Sequence, residues 1–179
     1  MNKVLLLTFA LMVSATMAFA QNGSIGIFAD NAGTSYNLPG APGLAYYYFV
    51  HCYALGATRS QWAAPAPTCM TAVRIADMPV FAVNLGNTAA GITIGYGTCK
   101  TGTFHIMTTL YNVVSAETCC RWDVVADPSL ASGKIEIQDC EFDLTYGNGG
   151  HGWVNWTPAC HEVPTEDTTW GQVKALYTE

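Results

Sequence analysis

Three groupings of side chains have the types and spacing that chemistry requires. Asp139, Glu141 and Asp143 alternate along the chain. Extended backbone puts residues two apart on one face, where three carboxylates repel at close range. Solvent, a cation or a neighbouring base has to offset that, and calcium is the cation such hard oxygen ligands suit. As a glycosidase pair the cluster lacks a second acid that can be placed across a cleft. His51-Cys52 and Cys160-His161 each set an imidazole beside a thiol, the pairing used in zinc sites and in nucleophilic catalysis. No Cys-x-x-Cys accompanies them, and a catalytic thiol would have to stay reduced. The chain also lacks a Gly-x-Ser-x-Gly elbow. Asp30-Asn-Ala-Gly33 reads as an Asx-type turn, since it lacks the alternating ligands of a calcium-binding EF-hand loop. The third grouping is aromatic. Ala45-Tyr-Tyr-Tyr-Phe-Val50 sends Tyr46 and Tyr48 to one face of a strand and Tyr47 and Phe49 to the other. A half-buried strand hides one of these pairs and leaves the other for a sugar or a subunit, a face to which Trp153 and Trp156 could add. An odd spacing keeps those two tryptophans from both pointing outward in a regular strand. His105 reads as a strand residue.

Composition narrows what those groups can do. The chain has 179 residues, of which 50% are hydrophobic and only 11% charged, with a formal net charge of −6. Disorder is excluded by the apolar content, and a nucleic-acid phosphate surface by the sign of the charge and the lack of any basic run. Asn2-Lys3, the apolar run Val4–Met12 and the small residues of Ala18-Phe-Ala20 make residues 1–20 a signal peptide, with the mature chain beginning at Gln21. The run is shorter than the ~20 residues of a membrane span. No membrane span is expected after cleavage, and the expected location is extracellular or periplasmic. Seven cysteines follow, at positions 52, 69, 99, 119, 120, 140 and 160. In an exported chain they read as disulfides, and the odd count leaves at least one thiol free or joined to another chain.

Short apolar or alternating runs recur between turn residues. Strands are expected near 24–29, 44–51, 60–63, 80–84, 92–96, 103–111, 121–125, 134–139 and 153–156. Asn37-Leu-Pro-Gly40, Gly97, Gly102 and Gly147-Asn-Gly-Gly150 are expected to break them. The fold class is all-β: a disulfide-linked antiparallel sandwich of about eight or nine strands over residues 21–163, with a barrel second. One hairpin can be set in register. Pairing Trp122 with Ile137 and Val124 with Ile135 buries all four, and places Cys119 opposite Cys140 within reach of a cross-strand disulfide. Cys120 then faces the core and needs a partner from the other sheet, Cys99 or Cys69; a ring disulfide between Cys119 and Cys120 is the strained alternative. Pairing of Cys52 and Cys160 stays open. Residues 164–179 form a separate tail with helical spacing. Trp170, Val173 and Tyr177 share a face with Leu176 beside it, and so short a helix must pack on its own domain or on a partner.

Gly23-Ser-Ile-Gly-Ile-Phe-Ala-Asp30, Ala32-Gly-Thr-Ser35, Gly95-Tyr-Gly-Thr-Cys99, the Cys119-Cys120 pair, Asp139-Cys140 and Thr169-Trp-Gly-Gln-Val-Lys-Ala-Leu-Tyr177 resemble a group of uncharacterised secreted bacterial proteins over nearly the whole mature chain. The resemblance implies secretion and a single disulfide-linked domain, and transfers no activity. Members often carry Cys where this chain has Tyr36, which implies that one disulfide is missing here and its partner is the unpaired cysteine. The expected function is a non-enzymatic structural or surface-interaction protein whose partners are itself, other cell-surface proteins or glycans. The alternative is a carbohydrate-binding module, with calcium the only cofactor considered.

Overall fold

The computed structural model describes residues 22–160; the expected signal peptide and the expected tail face of Trp170, Val173, Leu176 and Tyr177 lie outside them. Two long strands form the spine, β3 (Gly43–Trp62) and β6 (Gly91–Ala116). They run antiparallel from Gly43 opposite Val113 to Trp62 opposite Ile92. The β-branched and aromatic residues of Ala45–Phe49 account for β3 locally. Their alternation puts Ala45, Tyr47 and Phe49 inside, with Tyr46 exposed and Tyr48 half-buried. Gly97 and Gly102, expected to end strands, instead sit inside β6 at φ 76° and 80° and mark its bend.

Around this spine, β4 (Met70–Pro79) and β5 (Val83–Asn87) pair with successive halves of β6. On the other side β1 (Ser24–Phe28) pairs with β3, followed by β8 (Ile135–Gln138), which also pairs with β9 (Leu144–Gly149). A second sheet holds β2 (Asn37–Leu38), β7 (Cys120–Asp123) and β10 (His151–Val154). Pairings are not purely antiparallel: β1 with β9 and β10 with β2 are parallel. The two sheets meet at Trp122 of β7. Its ring lies 4.8 Å from that of Tyr47 and 5.3 Å from that of Tyr111, and its indole N–H donates to the Ala64 carbonyl at 3.3 Å.

The expected hairpin does not form. Trp122, Val124, Ile135 and Ile137 are all buried, but β7 pairs with β10 and β8 with β3 and β9. The connection between them leaves the first sheet at Val125, which bridges to Ala63, and turns at Asp127. There the carboxylate accepts from the Ser129 N–H and hydroxyl and from the Gln61 amide. Cys119 therefore never faces Cys140. The bridges are Cys119–Cys160, Cys99–Cys140 and Cys69–Cys120, the last spanning the two sheets, and Cys52 is the free thiol. Position 36 is no partner for it. Ser35 bonds to Ala29 at the Phe28 end of β1, while Cys52 faces Ser24 at the other end. Four residues of strand, roughly 13 Å, separate them, beyond the ~7 Å limit for bridging Cα atoms.

Candidate functional site

The sequence-chosen groups do not come together. Tyr46 and Tyr48 lie on the outward side of β3, and Tyr48 meets the His105 ring edge-on at 5.6 Å. Trp153 belongs to the smaller sheet and packs against His151, while Trp156, beyond the end of β10, packs against Tyr36. The tryptophans therefore do not add to the tyrosine face: Tyr46 and Tyr48 belong to the larger sheet, Trp153 to the smaller one, and Trp156 lies beyond it. His51 and Cys52 are both buried and engaged separately. His51 Nε2 donates to the Asn22 carbonyl at 2.9 Å, so Nδ1 accepts from the Tyr96 hydroxyl at 3.1 Å. The Cys52 thiol lies 3.8 Å from the Val50 carbonyl, and burial pushes its pKa up, away from a reactive thiolate.

Burial also holds the His51 pKa below its ordinary 6.5, against a smaller opposing pull from the Asn22 carbonyl. The folded state keeps the ring neutral, whereas the unfolded chain takes up a proton below ~6.5. The stability this contributes is complete above that value and is lost as pH falls toward the folded pKa. His51→Gln is expected to flatten the fall in stability between about pH 6.5 and 5 by up to ~1.4 kcal/mol per pH unit, measured by denaturant titration at several pH values. His105 and His151 are shifted in the same direction by burial, so the difference between wild type and variant, not either curve, is the readout.

The acidic cluster is a turn and not a strand. Asp139 Oδ1 accepts from the backbone N–H groups of Glu141 at 3.0 Å and Asp143 at 2.8 Å, and the Asp139 N–H donates to the Asp143 carbonyl. This Asx geometry closes the β8–β9 hairpin and spends one carboxylate on backbone. Glu141 and Asp143 are left in solvent, and no group of three or more His, Cys, Asp or Glu able to hold a metal ion occurs among the described residues.

What the turn does present is Phe142, at φ 68° and 69% exposed, with Leu144 beside it. Gln138 Nε2 donates to the Phe142 carbonyl at 3.0 Å and fixes that conformation. Across from it, β3 departs from regular pairing between His51 and Arg59. Tyr53 takes φ 56° there and is 79% exposed, and Leu55 follows at 71%. Left-handed backbone is unusual for bulky residues and persists only where the surroundings impose it. Here the Tyr53 N–H donates to Thr103 Oγ1, the Leu55 N–H to Asn22 Oδ1, and the Asn22 amide to the Gly56 carbonyl. Thr58 Oγ1 donates to the Asp139 carbonyl at 2.9 Å, tying β3 to the hairpin. Below lies the Cys99–Cys140 bridge. A Cβ on Gly56 would stand 2.9 Å from Cys140 Sγ, so only glycine lets the strand approach this closely. Leu55 lines two adjoining clefts. One, of about 380 Å³, adds Asn22, Gly56, Asp139–Glu141 and Thr145; the other, of about 260 Å³, adds Gly23, Ser24, Tyr53 and Asn148.

No protein-family model matches the chain, and no curated protein does. The all-β fold is similar to that of a cohesin module. The solved structure concerned is the cohesin module of a family 33 glycoside hydrolase from Clostridium perfringens, at TM-score 0.50 and 3% identity over 77% of this chain and 100% of that one. A complex of a CaDoc0917 variant with CaCohA2 follows at 0.45, with 10% identity over 75% and 99%. BslA, a bacterial hydrophobin, gives 0.40, with 10% identity over 77% and 98%. The likeness to the Clostridium perfringens module is one of fold alone. In this cohesin-like fold, Tyr53, Leu55, Phe142 and Leu144 escaped sequence reading. A signal existed in Glu141-Phe-Asp-Leu144, where apolar residues alternate with the acids that drew attention, and in Tyr53-Ala-Leu-Gly56, where a glycine interrupts an otherwise apolar strand.

Proposed function

We propose that this chain is a secreted, non-enzymatic β-sandwich protein that binds a protein partner through the end formed by Tyr53, Leu55, Phe142 and Leu144. The observation that carries the reading is the fixed exposure of these side chains. Two of them sit on left-handed backbone held by hydrogen bonds that involve only the chain's own atoms. Large apolar side chains held ready in water lower the ordering cost of binding, and such anchors contribute most of the affinity in protein interfaces. The exposed Glu141 and Asp143 rim the apolar end, which favours a partner with basic residues around an apolar centre. A non-catalytic role is supported by how the polar groups are used: Asn22, Thr103 and Asp139 bond to backbone, and His51 is buried and neutral. Secretion is supported by the three disulfides, which persist in oxidising compartments. The cohesin-like fold is compatible with a binding module and assigns no partner.

The test compares wild type with the Tyr53→Asn, Leu55→Ser double variant, each as the full chain immobilised on a surface. Asparagine tolerates the left-handed backbone, so the thermal midpoint is expected to stay unchanged. Wild type is expected to retain a protein from the extracellular fraction of the producing cells, and the variant to bind it at least roughly tenfold more weakly. Retention that is equal in the two proteins, or binding to a glycan panel in place of any protein, overturns the reading.

A further inference from the structure

The smaller sheet buries one face and turns the other to solvent. Trp122, Val154 and Leu38 point inward, so Arg121 and Asp123 of β7, His151 and Trp153 of β10 and Asn37 of β2 point outward. Trp153 pairs with Arg121 on one side and with Asn37 on the other. One row across the three strands thus reads guanidinium, indole, carboxamide. In the next row His151 pairs with Asp123, and its ring meets that of Trp153 edge-on at 5.7 Å. On the β2 side the Trp156 backbone N–H donates to Asn37 Oδ1 at 3.2 Å, and the Trp156 ring meets the exposed Tyr36 ring at 6.1 Å. A second aromatic pair therefore borders the row.

The polar groups of the row are held in place and only half used. Arg121 Nε and Nη2 both donate to Asp123 Oδ1, at 2.8 and 2.7 Å. Among the described residues, nothing engages Arg121 Nη1, Asp123 Oδ2 or Asn37 Nδ2. The indole is left with a donor on each side and an acceptor beside it. A ligand that satisfies all of them needs an apolar face for the ring and edge groups that both donate and accept. Hydroxyls do both. A phosphate or carboxylate has no proton for Asp123 and is repelled by it, and an ammonium is repelled by Arg121. Size decides against a protein here. Four residues of β10 span about 13 Å and three strands about 10 Å, a footprint of roughly 130 Å², against ~800 Å² per partner in a stable protein interface.

We propose that Trp153, Arg121, Asp123 and Asn37 bind a neutral pyranose glycan. The C–H face of one sugar lies on the indole, and its hydroxyls donate to Asp123 Oδ2 and accept from Arg121 Nη1 and Asn37 Nδ2. The Tyr36–Trp156 pair receives the next unit, so a chain binds more tightly than a monosaccharide. This is not the tyrosine face of β3, and it stands apart from the binding end at Tyr53.

Calorimetric titration of the full chain tests it, with β-1,4-linked hexamers of glucose, xylose and mannose and with hexagalacturonate as the acidic counterpart. At least one neutral hexamer is expected to bind, roughly tenfold or more tighter than its own monosaccharide and than the acidic hexamer. Trp153→Ala should weaken that binding at least roughly tenfold. Asn37→Asp keeps the acceptor for the Trp156 N–H and replaces only the donor, so it should weaken binding with the thermal midpoint unchanged. The Tyr53→Asn, Leu55→Ser variant should bind the sugar as wild type does, which separates this inference from protein capture at the other end. The proposal is overturned if no neutral hexamer binds up to about 10 mM, where any interaction is worth little. It is equally overturned by acidic hexamer bound as tightly as neutral, or by an affinity that survives Trp153→Ala or Asn37→Asp. Sugar binding lost in the Tyr53→Asn, Leu55→Ser variant puts the ligand at the other end and overturns it too.

Discussion

Replacing Trp122 with alanine is expected to lower the free energy of unfolding by about 3–5 kcal/mol with the disulfides intact, the cost of removing a large aromatic from a core that cannot fully collapse around the gap. Trp122 is 1% exposed and forms the contact between the sheets. It meets Tyr47 and Tyr111 edge-on, and those two rings meet each other at 5.8 Å, so the substitution removes two of three sides of an aromatic triangle. Edge-to-face pairs contribute about 0.5–1.5 kcal/mol beyond the area they bury. The Ala64 carbonyl also loses its indole donor. Trp122→Phe retains most of the volume and one ring, and should recover more than half of the loss. Equilibrium denaturation in guanidinium measures both. A loss under about 1 kcal/mol for the alanine variant would mean that the sheets are held together elsewhere.

Removing the Cys69–Cys120 bridge by replacing both residues with alanine is expected to cost about 4 kcal/mol in the chain-entropy account. The bridge closes a sequence separation of 51, the longest of the three, and ties the start of β4 to the start of β7, hence one sheet to the other. Cys99–Cys140 and Cys119–Cys160 each close 41 residues, and entropy alone makes their loss nearly as large. What sets Cys69–Cys120 apart is position. Cys120 is buried two residues from Trp122 on the same strand, so its removal also loosens the aromatic contact. The two substitutions should therefore be non-additive, and a double-mutant cycle reads the coupling. If the Cys69→Ala, Cys120→Ala variant unfolds at the same denaturant concentration as wild type, the bridge does not constrain the unfolded chain.

The sequence made the all-β class legible because period-two alternation and turn residues recur from Ser24 onward. Which strands pair was much less legible. Ile92–Tyr96 and Thr103–Tyr111 read as two strands because glycines separate them, yet β6 runs through both by bending at those glycines. Met70–Pro79 carries no strand pattern, since Ala, Arg and Asp interrupt it and a bulge between Arg74 and Ala76 reverses its alternation midway. Gly147-Asn-Gly-Gly150 read as a turn, although most of it belongs to β9. A Cβ at Gly149 would lie within contact distance of the Val124 carbonyl, so the glycine is there for close packing and not for chain reversal. The hairpin inference failed on a further point. A shared buried face was read as direct pairing, but Trp122 and Ile137 bury the same kind of face from different sheets. The candidate site was least legible. Left-handed backbone at Tyr53 is held by partners distant in sequence, Thr103 at its own N–H and Asn22 at that of Leu55, which no local pattern announces, whereas that at Phe142 is held locally by Gln138.

Cys119 and Cys120 are adjacent, yet each is bridged elsewhere, one to Cys160 and the other to Cys69. A pull applied along the chain from Asn22 to Cys160 would therefore follow a covalent short cut from 69 to 120, across one peptide bond to 119, and on to 160. With the bridges closed, only residues 22–68 can be drawn out, on the order of 160 Å of contour. The spine strand β6 and the other strands from β4 to β10 lie outside that path, apart from Cys120 at the start of β7. Reduction alone would expose them to load. A protein tethered by its two ends would thus act as a short extensible leader attached to a body that carries tension without being stretched, and a reducing agent would convert that body into slack.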